Sequence, residues 1–479
     1  MNFVNYARLT LGLAVGSLCS AVASTPNILF IYLDDYGWRD AGFMGSDFYE
    51  TPHLDRLAAD GMVFTNAYSA AANCAPARAS LLSGQATPRH QIYNVGTTPR
   101  GDDTHRRLEH IPGVSDLDSD ITTWAHLARQ AGYTTATMGK WHLSDDPLPY
   151  GFDINIGGTH SGSPPRGYYP PHPNAPGLAN APDDEYLTDR LTREAEQFIV
   201  EHQSERWFLY LTLFAVHTPL NAKRELVAKY EAKAPGKLHN HVAMATMIET
   251  VDTGVGRILN RLDQLGLTEN TVVVLHSDNG GYGPATDMYP LYGYKGTYYE
   301  GGIRVPLVVK WPGVVAPGSR TDTPAIGLDI YPTFAEIMRV DLPAGQPLDG
   351  ISLMPILRGE SVAGDRTLYW HFPAYLQSYR QTVAEQRDPL FRSRPVSVIR
   401  EGDWKLHHYY EDDGYELYHL GEDIGESHNL AALKPEITAQ LAAKLTAWLE
   451  ETGAAIPRAP NPAFDQAAHD AAVRATLAR

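Results

Sequence analysis

Five near-continuous apolar segments, separated by helical patterns, constrain the fold of this chain more than any other feature. They lack the strict alternation of a half-exposed strand, which is typical of strands covered on both faces. The segments are residues 27–33, 133–138, 207–216, 271–275 and 305–309. Helical patterns occupy residues 52–59, 122–131 and 241–265 between them. Strands that alternate with helices predict a doubly wound α/β sheet with helices on both faces.

The sequence pattern changes near residue 370. Short β-like segments follow it, and then one amphipathic helix, which predicts a smaller α+β domain with an antiparallel sheet. These segments are residues 396–400, 404–408 and 415–419, with the helix at 435–450. We therefore expect a large domain over residues 24–370 and a small one over 371–479. The tail after residue 456 carries no pattern that we can assign.

A segment rich in proline, glycine and aromatic residues runs from residue 157 to residue 184. Such a composition excludes a helix or a central strand. Long ordered loops often carry function, but a surface excursion fits the composition equally well.

The first 23 residues have the pattern of an export signal. Arg8 precedes an apolar stretch over residues 9–22, and Ala21-Val22-Ala23 is a small-residue cleavage pattern. The apolar stretch is too short to span a bilayer comfortably. We expect removal of residues 1–23 and a periplasmic or secreted product.

Charge and cysteine content narrow the possible partners. The formal net charge is −17 and there is no run of Lys or Arg, so nucleic acid is not an expected partner. No further apolar stretch is long enough to predict a membrane span. Of the two cysteines, Cys19 would leave with the signal, so Cys74 has no disulfide partner. A lone cysteine is most simply a buried structural residue.

Polar side chains follow four of the predicted strands at the point where each strand ends. In open α/β sheets ligands bind beyond the carboxyl ends of the strands, so these side chains are expected to converge. The groups are Asp34-Asp35, Gly139-Lys140-Trp141-His142, His217-Thr218-Pro219 and His276-Ser277-Asp278-Asn279. Asp34, Asp35, Asp278 and Asn279 are oxygen donors that suit Ca²⁺ or Mg²⁺. The alternative is that they are solvated acidic groups in loops.

Cys74 opens the sequence CAPARASLLSG, which ends at Gly84. Pro76 suits the first turn of a helix, so Cys74 is placed at or just before a helix N-terminus. Backbone N–H groups and the helix dipole there favour an anion. Arg78 lies one turn further on the same face, within reach of a charged group at position 74.

These motifs resemble those of the type I formylglycine-dependent sulfatases, within the alkaline-phosphatase-like superfamily, and in particular bacterial carbohydrate sulfatases. The likeness rests on Cys-x-Pro-x-Arg at 74–78 beside Asp34-Asp35, and it extends over about residues 26–450. Further matching motifs are Gly139 to His142, His217 to Pro219, Ser277 to Gly280, Lys295-Gly296, Glu300 to Pro306, Trp311 to Gly313, Asp349-Gly350, Trp404 to Leu406 and Glu416 to Tyr418. The resemblance implies an alkaline-phosphatase-like doubly wound mixed sheet with a smaller C-terminal α+β domain.

The resemblance also implies a chemistry. Cys74 would be oxidised to formylglycine by a formylglycine-generating enzyme, and the aldehyde hydrate would attack sulfur and form a covalent sulfo-enzyme. Asp34, Asp35, Cys74, Asp278 and Asn279 would bind Ca²⁺, and Arg78 would hold the hydrate. Lys140, His142, His217 and Lys295 match residues that contact the sulfate. His217 is the first choice for the acid that protonates the leaving alcohol, followed by Lys295, and His142 is the candidate base for sulfate release.

The expected substrate is a sulfated mono- or oligosaccharide, with galactose or N-acetylgalactosamine sulfate from a polysaccharide as the first choice. The candidate sugar contacts are His90, His160, Arg166, Glu300, Arg304 and His371. Two alternatives remain open at this point. One is a phosphoesterase or phosphonate monoester hydrolase on the same scaffold, and the other is a non-catalytic glycan-binding homologue.

Overall fold

The computed structural model describes residues 25–97, 100–180, 182–360, 366–379, 387 and 389–478. The predicted export signal at residues 1–23 lies outside the described residues. The strands are β1 Asn27–Leu33, β2 Met62–Phe64, β3 Ala67–Tyr68, β4 Thr134–Gly139, β5 Ile154–Ile156, β6 Trp207–Thr212, β7 Thr271–Ser277, β8 Leu307–Lys310, β9 Ser319–Thr321, β10 Ala325–Ile326, β11 Thr367–Phe372, β12 Leu376–Gln377, β13 Phe391–Ser393, β14 Val396–Glu401, β15 Trp404–Tyr409 and β16 Gly414–His419.

The α-helices are α1 Pro52–Asp60, α2 Cys74–Ser83, α3 Thr87–His90, α4 Trp124–Gln130, α5 Leu187–Glu201, α6 Arg224–Ala232, α7 Val242–Gln264, α8 Glu300–Ile303, α9 Ile330–Met338, α10 Met354–Leu357, α11 Pro435–Glu451 and α12 Gln466–Leu477. Short 3-10 turns cover Gly42–Met44, Asp103–His105, Leu148–Tyr150, Thr268–Asn270 and Gly327–Asp329. None of these helices, within the described part of the chain, is both long and apolar enough to cross a membrane.

The large sheet has eight strands in the order β5-β4-β6-β1-β7-β8-β2-β9. The first five are parallel to one another, and β8 is antiparallel to both of its neighbours. This is the mixed, doubly wound sheet that the sequence predicts, with β1 at its centre. Because β1 lies between β6 and β7, the carboxyl ends of all three strands meet at one edge.

Alternate residues of β1 pack into two different apolar cores, which explains its unbroken apolar sequence. Leu29 and Ile31 belong to the core shared with α1, α5 and α7. Ile28 and Phe30 belong to the core shared with α2, α4 and α9. Since both faces of the strand are covered by helices, neither face selects polar residues.

The smaller sheet has the order β11-β14-β15-β16 and is antiparallel throughout. Helix α11 covers it, with Trp448 stacked on Tyr369 at a centroid distance of 4.9 Å. The expected boundary at 370/371 falls within strand β11, because Thr367–Phe372 is one continuous strand paired with β14. The smaller sheet therefore begins at Thr367. Helix α12 lies in the tail that carried no assignable pattern, and the Asp465 side chain caps it by accepting from the backbone N–H of Ala467 and Ala468.

A buried ion cluster joins the two sheets. Lys405 of β15 contacts Glu300 at 3.0 Å and Glu426 at 2.9 Å, and the side chains of all three are fully buried. Burial alone would raise the pKa of Glu300, but Lys405 and Arg304 outweigh it and hold that pKa to about 2. Burial raises the pKa of Glu426 to about 7. One lysine thus compensates two carboxylates at the junction.

Replacing Lys405 by Met should lower the free energy of unfolding by about 3–5 kcal/mol, because Glu426 would remain buried without a cation and Glu300 would keep only Arg304. The matched control is Lys444→Met, which removes a half-exposed pair with Glu401 and should cost less than about 1 kcal/mol. Urea denaturation of the three proteins measures both effects. Equal midpoints for the two variants would contradict the role given to Lys405.

Candidate active site

The side chains predicted from the strand ends meet at one edge of the large sheet. Those of Asp34, Asp35, Asp278 and Asn279 follow β1 and β7 and are almost wholly excluded from solvent. Lys140 and His142 follow β4 and are also buried. His217 lies beyond β6, with 15% of its side chain exposed. Lys295 reaches the same place from the segment before α8.

Three buried carboxylates here are balanced by three buried cations. Each carboxylate has its own cation as the nearest partner, and the pairs are Lys140 with Asp34 at 2.5 Å, Arg78 with Asp278 at 3.0 Å, and Lys295 with Asp35 at 2.6 Å. Further bonds fix Arg78, which donates to the carbonyl oxygen of Lys140 and to the hydroxyl of Thr212. Arg78 is therefore held by several partners at once, which fixes the position of its guanidinium group.

The two aspartates that flank Cys74 differ in their electrostatics. Burial alone would raise the pKa of Asp34, but the charges of Lys140, His217 and Arg78 outweigh it and hold that pKa well below its usual range. Burial and the neighbouring Asp34 charge raise the pKa of Asp278 to about 7. Asp278 is therefore the carboxylate of the site that comes closest to accepting a proton at neutral pH.

Cys74 is the first residue of α2 and is 1% exposed. Its Sγ lies 3.4 Å from Asp34 Oδ1, 3.9 Å from Asp35 Oδ1 and 3.3 Å from Lys295 Nζ. Burial and the charge of Asp34 raise the pKa of the Cys74 thiol well above its usual range. An unmodified Cys74 thus stays protonated at neutral pH and is a poor nucleophile.

The donor set fits a hard cation. One oxygen each from Asp34 and Asp35, together with Cys74 Sγ and a His217 nitrogen, lie within 4.8 Å of one another. Asn279 Oδ1 is buried and has no hydrogen-bond partner among the described residues, although the same amide donates to Asp35 Oδ1 at 2.8 Å. An orphaned buried carbonyl oxygen beside carboxylates is what an oxygen-coordinated cation would satisfy.

The hydrogen bond of His217 fixes its tautomer. Nδ1 lies 2.7 Å from the carbonyl oxygen of Thr218, which can only accept, so Nδ1 carries the proton. In the neutral ring Nε2 is then an acceptor, and it lies 3.9 Å from Asp35 Oδ2. Burial and the charge of Lys295 lower the pKa of His217 to about 4. At neutral pH the free ring can accept a proton from the cleft but cannot donate one through Nε2.

Two residues of this site have an unfavourable backbone conformation. Asp35 and His142 are non-glycine residues with φ of 56° and 68°, a region that costs about 1–3 kcal/mol and often marks functional positions. Gly139 has a φ of 111°, and a Cβ there would lie 2.0 Å from the carbonyl oxygen of Thr212. Only glycine fits, and the close approach lets Lys140 N–H donate to the same oxygen at 2.7 Å.

A cleft of about 350 Å³ opens onto these groups. Gly162 and Ser163 line it, so the loop over residues 157–184 contributes to the site, and Gly162 packs against the ring of His142. Sequence reasoning missed several lining residues, because no strand end or motif marks them: Asn73, Asn94, Arg100, Tyr282, Tyr379 and Arg392.

Four of the six expected sugar contacts lie away from the residues that line the cleft. Glu300 and Arg304 belong to the junction between the sheets, where Arg304 contacts Glu300 at 3.2 Å. His90 is buried against Ser80 at 2.9 Å, and His371 is buried with both ring nitrogens bonded, to Ser397 and to the carbonyl oxygen of Ala455. Because these side chains are buried and bonded to other protein groups, their positions favour a structural role over contact with a sugar.

The other two expected contacts, His160 and Arg166, lie in the loop over residues 157–184. His160 bonds Asp116 at 2.9 Å, and its ring lies 6.3 Å from that of His142. Arg166 is exposed and has a φ of 60°. Neither is among the residues that line the cleft.

Comparison with known proteins shows which family this chain is related to. The sulfatase family model matches residues 26–340, and the model of the N-sulphoglucosamine sulphohydrolase C-terminal region matches residues 291–454. A sulfatase of Formosa agariphila is 33% identical, with 90% of this chain and 89% of that protein covered. The mouse N-acetylgalactosamine-6-sulfatase is 27% identical, over 88% and 79%.

Solved structures of other proteins have a fold similar to that of this chain. Ps i-CgsB in complex with a neocarrahexaose superposes with a TM-score of 0.72 and 27% identity, covering 95% of this chain and 98% of that one. A phosphonate monoester hydrolase of Agrobacterium radiobacter shares the fold, with a TM-score of 0.66 and 22% identity over 89% and 96%.

The mixed sheet, with its charged edge and smaller C-terminal sheet, defines a hydrolase of the alkaline-phosphatase-like superfamily. Within that superfamily the chain belongs to the sulfatase family, and it is a sulfuric ester hydrolase.

Replacing Gly139 by Ala should lower the turnover of an aryl sulfate by about 100-fold, because the added Cβ displaces the backbone that carries Lys140. Gly313→Ala is the matched control, since Gly313 also has a positive φ, 77°, but nothing within 4 Å. It should lose only about 1–2 kcal/mol of stability and keep its turnover. Turnover and thermal unfolding are measured on both variants, and full turnover in Gly139→Ala would contradict the argument.

Proposed function

We propose that this sulfatase hydrolyses sulfate esters on galactose or N-acetylgalactosamine units of a polysaccharide. One observation carries the proposal: the buried Asp34–Asp35–Cys74 cluster opens directly into a cleft of sugar size. The choice of sugar is supported by the names of relatives, which include an N-acetylgalactosamine-6-sulfatase and a protein bound to a neocarrahexaose.

We propose that Cys74 acts after oxidation to formylglycine by a formylglycine-generating enzyme. Burial keeps the unmodified thiol protonated, so the thiol itself is a poor nucleophile. A hydrated aldehyde at this position offers one hydroxyl for attack on sulfur. Its second hydroxyl allows the resulting covalent sulfate ester to release sulfate and regenerate the aldehyde.

We propose Ca²⁺ as the cation, held by Asp34, Asp35, Asp278, Asn279 and the modified residue 74. Oxygen donors of this kind and the orphaned Asn279 Oδ1 support a hard cation over zinc. A bound Ca²⁺ would offset negative charge on the nonbridging sulfate oxygens.

The remaining side chains have distinct proposed roles around the sulfate. Lys140 and Arg78 would stabilise negative charge that develops during attack, in a site from which water is largely excluded. Asp278 would accept a proton from the attacking hydroxyl. His142, whose pKa burial lowers well below its usual range, stays neutral and suits the base for sulfate release.

The proton for the leaving alcohol is better assigned to Lys295 than to His217. Burial alone would lower the pKa of Lys295, but Asp35 outweighs it and keeps the ammonium charged. Neutral His217 presents an acceptor to the cleft, so it would need a second proton before it could act as the acid. This reverses the order of preference that the sequence alone suggests.

We further propose that the mature enzyme starts after residue 23 and acts in the periplasm or outside the cell. The export pattern of the first 23 residues supports this location. A polysaccharide substrate is consistent with it, because such chains are met outside the cytoplasm.

The test is product analysis on sulfated galactose and N-acetylgalactosamine, with aryl phosphate and phosphonate esters as competing substrates. Release of sulfate should dominate, and Cys74→Ala should abolish it because the nucleophile is lost. Peptide mass spectrometry should find CHO in place of CH₂–SH at residue 74 of active enzyme. Faster phosphonate hydrolysis would favour the rival esterase, and sugar binding without turnover by converted protein would favour a glycan-binding protein.

Removing the metal gives a second expected outcome. Treatment with a calcium chelator should lower sulfate release by at least about 100-fold, because the cation supplies several kcal/mol of charge stabilisation. Added Ca²⁺ should restore the rate. The Asn279→Ala variant should need more Ca²⁺ than the unaltered enzyme for half-maximal activity, and an unchanged calcium requirement would remove Asn279 from the ligand set.

A further inference from the structure

Arg392 presents an unsatisfied guanidinium group to the catalytic cleft. It lies in the middle of β13 and is one of the residues that line the cleft. Its Nε and Nη1 are buried and have no hydrogen-bond partner among the described residues. An N–H group that is shielded from water and unbonded is costly, and a ligand would relieve that cost.

The surroundings of Arg392 hold its side chain in place. The guanidinium carbon lies 4.0 Å from the centroid of the Tyr379 ring, a cation–π arrangement. Tyr379 is in turn packed edge-on against Tyr282, at a centroid distance of 5.0 Å. Both tyrosines line the cleft. The guanidinium is therefore positioned before any ligand arrives.

Arg392 lies beside the segment that carries Lys295. A Cβ on Gly296 would be 2.5 Å from Arg392 Nε, so the absence of a side chain at Gly296 makes room for the guanidinium. Lys295, the preceding residue, has its Nζ 3.3 Å from Cys74 Sγ. Arg392 therefore lines the same cleft as Lys295 and Cys74, beside the segment that carries Lys295.

Charge pairing separates Arg392 from the catalytic cations. Lys140, Arg78 and Lys295 each contact a buried carboxylate. Arg392 has no ion pair within the described part of the chain, and neither does Arg100, an exposed residue on the same cleft. In a chain with a net charge of −17, an uncompensated arginine facing a cleft is conspicuous. Its positive charge is not paired with any carboxylate among the residues that the structure describes.

We propose that Arg392 binds a second anionic group of the substrate, next to the sulfate that is cleaved. This rests on the proposed function and names its substrate class: a sugar that carries, in addition to the scissile sulfate, another sulfate ester or a carboxylate on the same or the adjoining unit. Arg suits this role, because its planar fork pairs with both groups through two parallel hydrogen bonds.

The test uses sugars with the same scissile sulfate and a second position bearing sulfate, carboxylate or hydroxyl. The unaltered enzyme should have the highest kcat/KM on one of the doubly anionic sugars, and that sugar identifies the second group. Arg392→Gln should lose about 10- to 100-fold in kcat/KM on it, as expected for a charged hydrogen bond, and much less on the hydroxyl sugar. Arg392→Lys should recover part of the loss.

Arg320→Gln, which removes the same charge from the exposed edge strand β9, is the control and should keep the preference. Equal losses on all three sugars in Arg392→Gln would overturn the proposal. Calorimetric binding of the same sugars to Cys74→Ala, with and without Arg392→Gln, tests the subsite independently of turnover. Failure of every sugar to be desulfated would count against the proposed function, whereas equal binding by the two Cys74→Ala proteins would count against the subsite.

Discussion

The site depends on the mutual compensation of three buried carboxylates and three buried cations at one edge of the large sheet. Neither set could be buried alone, since desolvation costs several kcal/mol per ion. Because Asp34, Asp35 and Asp278 are each paired, the interior around Cys74 is close to neutral. Adding a divalent cation to such a site leaves a net positive charge, which favours an anionic substrate although the whole chain is acidic.

The compensation works only because distant segments of the chain approach very closely. Backbone contacts around Gly139 and Gly280 leave no space for a side chain; a Cβ at either would lie 2.0 Å from a carbonyl oxygen. Asp35 follows β1 and Asp278 follows the neighbouring strand β7, and the backbone N–H of Asp35 donates to Asp278 Oδ1. The site is therefore assembled by the packing of the sheet edge itself.

Much of the fold and of the catalytic edge could be predicted from the sequence, because the residues that define them are close neighbours along the chain. The apolar sequence of β1 predicts a buried strand, and Asp34-Asp35 directly after it predicts a polar group at the end of that strand. One local pattern therefore predicts both the fold and the charged edge of the sheet. Cys74 at a helix start follows from Pro76 and Arg78 in the same way. Contacts between residues far apart in sequence could not be predicted. His371 and Glu300 are residue types that often bind sugars, but here they contact Ser397 and Lys405, which are distant in sequence. The isolation of Arg392 likewise depends on neighbours that no local pattern reveals.

The smaller sheet stabilises the catalytic edge of the large sheet through hydrogen bonds to residues next to it. The indole N–H of Trp370 donates to the carbonyl oxygen of Ser69 at 2.8 Å, and the Ser69 hydroxyl donates to the carbonyl oxygen of Asp278. Lys405 from the same sheet neutralises Glu300, five residues after Lys295. Without the smaller sheet, Glu300 would lose Lys405 and keep Arg304 as its ion-pair partner. The stability of the large sheet therefore depends on contacts with the smaller one, and the two sheets are expected to unfold together.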